Sequence, residues 1–153
     1  MSPAAPAGEI ENKGLISASI ILAALMQSLD TTIANVALPH MQGSVSASQD
    51  QITWVLTSYI VAAAIMTPLT SWLAQRFGIR NVFLFSVAGF TFASALCGAA
   101  QTLPEIVIFR LMQGVAGAAL MPLTQAVLFT INPPEKYGQA MGTFGLALVL
   151  GPA

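Results

Sequence analysis

The sequence predicts an all-α integral membrane protein, and three observations carry that reading. Of 153 residues, 56% are hydrophobic and only 7% are charged, against ~25% charged in an ordinary soluble domain. The charges are spaced rather than mixed: 25 uncharged residues separate Asp50 from Arg76, 24 separate Arg80 from Glu105, and 24 separate Arg110 from Glu135. A membrane-crossing helix needs ~20 mostly apolar residues, so each gap holds one. Long alternation of apolar and polar residues, the mark of a transmembrane β-barrel, is absent.

A flexible tail is expected over residues 1–13, small, Pro/Ala-rich and acidic. It lacks the basic start and short apolar core of a secretory signal. The membrane domain then occupies 14–153. Span one is placed at about 14–38 with Asp30 inside it, and Pro39 is expected to end it. A polar loop, His40 to Asp50, follows. Span two covers about 52–74. Trp54 and Tyr59 fall near its start, where interfacial aromatics collect. Gly78 is the expected turn residue of the hairpin 75–81, and span three covers about 82–100. Span four covers about 105–131, stopped by Asn132-Pro133-Pro134. A fifth begins near Tyr137 and reaches the end of the sequence at Ala153. Pro68 and Pro122 are expected to kink their spans.

Lys and Arg in short loops set orientation. With the N-terminus cytoplasmic, the inner loops hold Lys13, Arg76, Arg80 and Lys136 and the outer loops hold none. A cytoplasmic N-terminus follows.

Composition excludes several classes. A net charge of −1 offers nothing to nucleic acid. The single cysteine, Cys97, forbids an internal disulfide framework and is read as inert. His40 has no second ligand nearby in sequence, so no metal site is expected. No phosphate-binding loop or nucleophile motif is present. The partner implied directly is the lipid bilayer.

Asp30 is the most informative residue. A carboxylate mid-span costs ~2.5–3.5 kcal/mol on insertion scales and marks a cavity or a partner. It is read either as a proton or cation site or as a structural ion pair between helices. Arg110 lies five residues inside the outer end of span four, ~8 Å deep, and Asp30 lies eight residues before Leu38, ~12 Å from the same face. The two can share a depth. They are expected to form an ion pair, direct or water-bridged, with snorkelling of Arg110 to the headgroups as the competing reading. Gln113, one turn below Arg110 on roughly the same face, Thr31, Thr32 and Asn35 around Asp30, and Gln27 and Gln125 are each read either as lining a path or as bonding between helices. Gly114-x-x-x-Ala118 and Gly138-x-x-x-Gly142 suit close helix packing.

Several stretches resemble the major facilitator superfamily, most closely its fourteen-span drug:proton antiporters of the EmrB/QacA type. Leu29-Asp30-Thr31-Thr32-Ile33-Ala34-Asn35-Val36-Ala37-Leu38-Pro39 is similar to that group's first-span signature, and Thr53-Trp54-Val55-Leu56-Thr57-Ser58-Tyr59 to its second span. Ser71 to Arg80 resembles the superfamily's cytoplasmic gating motif, with Arg76, Gly78 and Arg80 matching; Ser71 replaces a glycine and Gln75 an aspartate. Arg110 to Ala118 resembles the fourth-span motif, with Ala116 in a glycine position. Gly138 with Ala147-Leu148-Val149-Leu150-Gly151-Pro152 resembles the fifth-span antiporter motif, with Ala147 replacing a glycine.

The resemblance covers residues 13–153 and implies the first four to five helices of a major-facilitator-type bundle, about the first third of a full transporter. It implies a secondary active transporter rather than an enzyme: proton-coupled efflux of small hydrophobic or cationic drugs across an inner membrane. It needs no cofactor beyond the proton gradient, and it suggests a periplasmic adaptor and outer-membrane channel as partners. It gives Arg110 a role in proton coupling, Arg76, Gly78 and Arg80 the gate, and Gly138, Gly151 and Pro152 the antiporter helix; the reading of the in-span polar residues adds Asp30, Asn35 and Gln113 to Arg110 as coupling residues. An uptake symporter, a short oligomerising membrane protein and an inactive truncated product remain as alternatives.

Overall fold

The computed structural model describes residues 13–44 and 48–150. Among the described residues six α-helices follow one another: α1 (Lys13–Ser44), α2 (Gln49–Phe77), α3 (Ile79–Ala99), α4 (Leu103–Gly117), α5 (Leu120–Ile131) and α6 (Tyr137–Leu150), with a 3₁₀ turn at Pro134–Lys136 before α6. No strand occurs among the described residues. Among the described residues four stretches are long and apolar enough to cross a membrane: Lys13–Ala37, Asp50–Phe77, Ile79–Ala99 and Leu103–Ile131. The chain is a multi-pass membrane protein. The tail residues 1–12, and Gly151 and Pro152 of the fifth-span motif, lie outside the described residues.

The helix starts are written in capping chemistry. The Gln51 N–H donates to Ser48 Oγ (3.3 Å) while the Ser48 N–H donates to Gln51 Oε1 (3.0 Å). At α4 the N–H groups of Gln101 and Thr102 donate to Glu105 Oε2 at 2.9 and 3.1 Å. Both satisfy amides that a helix start leaves without intrahelical partners. Between α2 and α3 the connection shrinks to Gly78 alone, at φ 84° and ψ 142°. Only glycine enters that region cheaply.

Prolines behave in two ways. Pro39 does not end α1, which continues to Ser44; of the expected loop, residues 40–44 and 49–50 are helix and 45–47 lie outside the described residues. A proline removes one N–H bond, and the neighbouring helical bonds can carry the chain past it. Pro68 likewise lies inside an unbroken α2. Pro122 does interrupt span four: α4 ends at Gly117 and α5 starts at Leu120. Having no N–H, it cannot bond the carbonyl of Ala118 four residues back, and its ring crowds that carbonyl. Ala118 and Ala119 keep right-handed helical angles, so the rod is broken in bonding while its backbone conformation stays helical.

The fourth span is the centre of the bundle. Half of its apolar window is buried, against 17–22% in the other three spans. Helix α4 packs mainly on α2 and α3. Its upper contact is Ile52 and Val55 against Ile106. Below the break, Leu123 and Ala119 meet Val82 of α3, while Leu128 joins Ile20, Ala24 and Phe144 from α1 and α6. Large apolar side chains such as Leu22, Ile33, Ile60 and Phe85 point outward. For a membrane protein this surface meets lipid or further protein, so it carries no hydration cost.

Candidate functional site

Close approach of α4 to α2 and α3 comes from glycine. A Cβ at Gly114 would collide with the Tyr59 carbonyl oxygen and lie 2.9 Å from Ala62 Cβ. One at Gly117 would lie 2.9 Å from the Phe90 ring and 3.3 Å from Tyr59 Oη. At Gly138 and Gly142 the same atom would meet nothing within 4 Å among the described residues.

The close seam places polar side chains in the interior. Arg110 Nη1 donates to Asp30 Oδ2 at 2.7 Å, with both side chains largely buried. The same nitrogen donates to Gln113 Oε1 at 2.8 Å. The snorkelling reading of Arg110 is thus not what the structure shows: the guanidinium turns inward to the acid. A charge-assisted contact of this length in low dielectric is strong, whereas either ion alone would bear a large desolvation penalty. Gln113 is fully buried, and its oxygen also accepts from the Cys97 thiol at 3.7 Å. Cys97, expected to be inert packing, therefore touches the edge of the network.

Of two further residues of the site, Gln27 is one of the polar candidates named from the sequence and Tyr59 is not. Gln27 lies three positions before Asp30 on α1; its Nε2 donates to Tyr59 Oη (3.0 Å) and to the Gly117 carbonyl (3.2 Å). Tyr59 was placed at the interface by its position near the start of span two. It instead lies inside, with its ring centroid 6.0 Å from Arg110 Cζ, at the outer limit of a cation–π contact. A polar residue at helical spacing from Asp30 was the available signal for Gln27. Its backbone partner across the seam left no mark in sequence. Gln125 is exposed.

Asn35 is an exposed residue of α1, yet it lines a cavity of about 120 Å³ that Arg110, Tyr59 and Thr31 also line. Arg76 and Arg80 flank the Gly78 turn, both exposed, and among the described residues neither forms an ion pair. With Gln75 in place of an acid there is no carboxylate beside them in the turn. The turn is held by the Gly78 N–H donating to the Ala74 carbonyl (3.0 Å) and the Asn81 side-chain amide donating to the Phe77 carbonyl (3.0 Å). Gly138 opens α6, which reaches α1 through Ser28 Oγ donating to the Leu148 carbonyl (3.4 Å).

The sequence pattern of the Major Facilitator Superfamily matches residues 20–153. The chain belongs to the Major Facilitator Superfamily. Among individual proteins, this superfamily member is 45% identical over 138 residues to the multidrug export protein EmrB of Haemophilus influenzae. It is 41% identical to the multidrug export protein EmrB of Escherichia coli K12 over 138 residues, and 43% identical over 137 residues to the fatty acid resistance protein FarB of Neisseria gonorrhoeae. Each comparison covers 90% of this chain and 27% of the relative. The chain thus spans about a quarter of the length of the relatives it matches.

Proposed function

We propose that these residues form the N-terminal part of a proton-coupled multidrug efflux transporter. The single observation that carries the coupling role is the buried Asp30–Arg110 contact at 2.7 Å. Protonating Asp30 would remove the charge that holds Arg110, free the guanidinium to rearrange, and so link a proton to a change in how α1 meets α4. The names of the relatives support export of drugs as the work done. Small hydrophobic or cationic drugs are the proposed cargo, and the proton gradient is the driving force, with no cofactor.

In this reading Asn35 and Gln113 tune the pair from its two sides. Arg76, Gly78 and Arg80 belong to the cytoplasmic gate, and Gly138, Gly151 and Pro152 to the antiporter helix. The four cations Lys13, Arg76, Arg80 and Lys136 support a cytoplasmic N-terminus, and the proposed location is an inner membrane. A periplasmic adaptor and an outer-membrane channel complete the export route.

The test is Asp30→Asn in the full transporter, assayed in vesicles by extrusion of a fluorescent lipophilic cation under an imposed proton gradient. Gradient-driven extrusion is expected to be lost. Undiminished extrusion would remove Asp30 from the coupling role, and accumulation in the direction of the proton flux would favour a symporter. Arg110→Lys keeps charge but not the fork of donors, so a loss there shows that geometry is required as well as charge.

A further inference from the structure

Helix α1 meets the fourth span in two different ways. Below the break it packs directly on α5, where Ile20 and Ala24 share a core with Leu128. Above the break α4 packs mainly on α2 and α3, and long side chains reach between α1 and α4. Arg110 of α4 reaches Asp30 at 2.7 Å. Gln27 of α1 reaches back, its Nε2 donating to the Gly117 carbonyl at 3.2 Å and to Tyr59 Oη at 3.0 Å. Gln27 and Asp30 stand three residues apart, so they are neighbours on one face of α1.

The place that Gln27 reaches is a gap in the span's own bonding. Gly117 is buried and is the last residue of α4, and a helix end leaves its final carbonyls without intrahelical partners. Just beyond it, Pro122 has no N–H to give the Ala118 carbonyl. An amide from another helix supplies the donor that Gly117 needs. The partner also fixes which way that amide points. A carbonyl can only accept, so Gln27 turns its nitrogen to Gly117. Arg110 can only donate, so Gln113 turns its oxygen to the guanidinium. The opposite ends, Gln27 Oε1 and Gln113 Nε2, are buried without a hydrogen-bond partner among the described residues. Such unpaired ends are unfavourable, so the contacts that the two amides do make hold them in place.

We propose that Gln27 is a positioning residue that clasps the gap in the fourth span and ties it to the helix carrying Asp30. The clasp keeps the break closed while the Asp30–Arg110 contact holds α1 in place. Loss of that contact loosens the clasp, and the break opens. That a proton is what ends the contact rests on the antiporter reading. The clasp itself does not.

Amide hydrogen exchange of the full-length transporter, followed by mass spectrometry, tests the clasp without any gradient or substrate, because exchange reports local opening. The amides that flank the gap are those of Ala118 and Leu123, which donate to the Gly114 and Ala119 carbonyls at 3.0 Å each. Gln27→Met keeps the length of the side chain and removes its donor. It is expected to speed exchange at both amides about tenfold, the size of one lost buried hydrogen bond, with α3 unchanged. Asp30→Asn is expected to speed the same amides, and to add nothing further in the Gln27→Met background. Gln27→Asn holds its amide one methylene short of the carbonyl and should behave as Gln27→Met does, which covers a failure of either to fold. Unchanged exchange at Ala118 and Leu123 would overturn the proposal. So would faster exchange throughout the bundle, the mark of a merely structural residue. Effects of Gln27→Met and Asp30→Asn that combine as independent changes do would overturn it as well. If the two are non-additive as expected but Asp30→Asn still extrudes drug under a gradient, the clasp stands and the coupling assignment falls.

Discussion

Replacing Gly114 by alanine adds one methyl group at the tightest point of the bundle. That Cβ would fall on the backbone carbonyl oxygen of Tyr59 and 2.9 Å from Ala62 Cβ. A flexible side chain could swing away; a helix backbone cannot, so α2 as a whole must move off α4. Overpacking of this type costs ~1–3 kcal/mol, and the rigid obstacle puts Gly114 at the upper end. Alanine returns ~1 kcal/mol through its better helix propensity. The net expectation is a loss of about 1–2 kcal/mol, or roughly 5- to 30-fold in the folded-to-unfolded ratio. The assay is thermal unfolding of the purified full-length transporter in detergent beside Gly142→Ala, where the added Cβ meets nothing within 4 Å of this bundle. Gly114→Ala should melt clearly lower, and Gly142→Ala at or above the parent. If Gly114→Ala melts as high as the parent, the seam is looser than described and the close packing of α2 on α4 does not position Arg110.

Three further outcomes follow from the same geometry. Arg110→Ala leaves Asp30 buried without its cation and should cost ~3–5 kcal/mol in unfolding measurements; Asp30→Asn combined with Arg110→Gln should recover part of that loss, and a strictly additive double variant would deny the coupling. Gly78→Ala meets no steric obstacle but forces a side chain into a glycine-only region, so melting should show a loss of ~1–3 kcal/mol, with an unchanged melting point refuting the turn geometry. Tyr59→Phe keeps the ring near Arg110 and removes the acceptor for Gln27, so a loss of ~1 kcal/mol is expected with gradient-driven extrusion retained.

The spans were legible because charge is so costly in lipid that its spacing marks where helices cross. The pairing of Asp30 with Arg110 was legible from depth alone, since two costly groups at one level in a bundle have every reason to meet. The break in span four could be read from Pro122 by counting back to the carbonyl it cannot bond. The passage of α1 through Pro39 could not, because whether a helix continues past a proline depends on its surroundings and not on the residue. Tyr59 and Gln27 show the same limit from another side. Tyrosine near a span end usually marks an interface, and only the contact across Gly117 reveals that this one faces inward. The unpaired atoms of Gln27 and Gln113 depend on amide orientation, which sequence does not encode.

The break at Ala118–Ala119 divides more than a helix. Above it, α4 shares a core with α2 through Ile52, Val55 and Ile106; below it, α5 shares cores with α1, α3 and α6 through Leu123, Leu128 and their neighbours. One crossing of the membrane therefore contributes to separate cores, with the ion pair above the break and the packing against α1, α3 and α6 below it. Amide exchange along this single span should accordingly fall into two protection classes that change at residue 118, each reporting the stability of a different core.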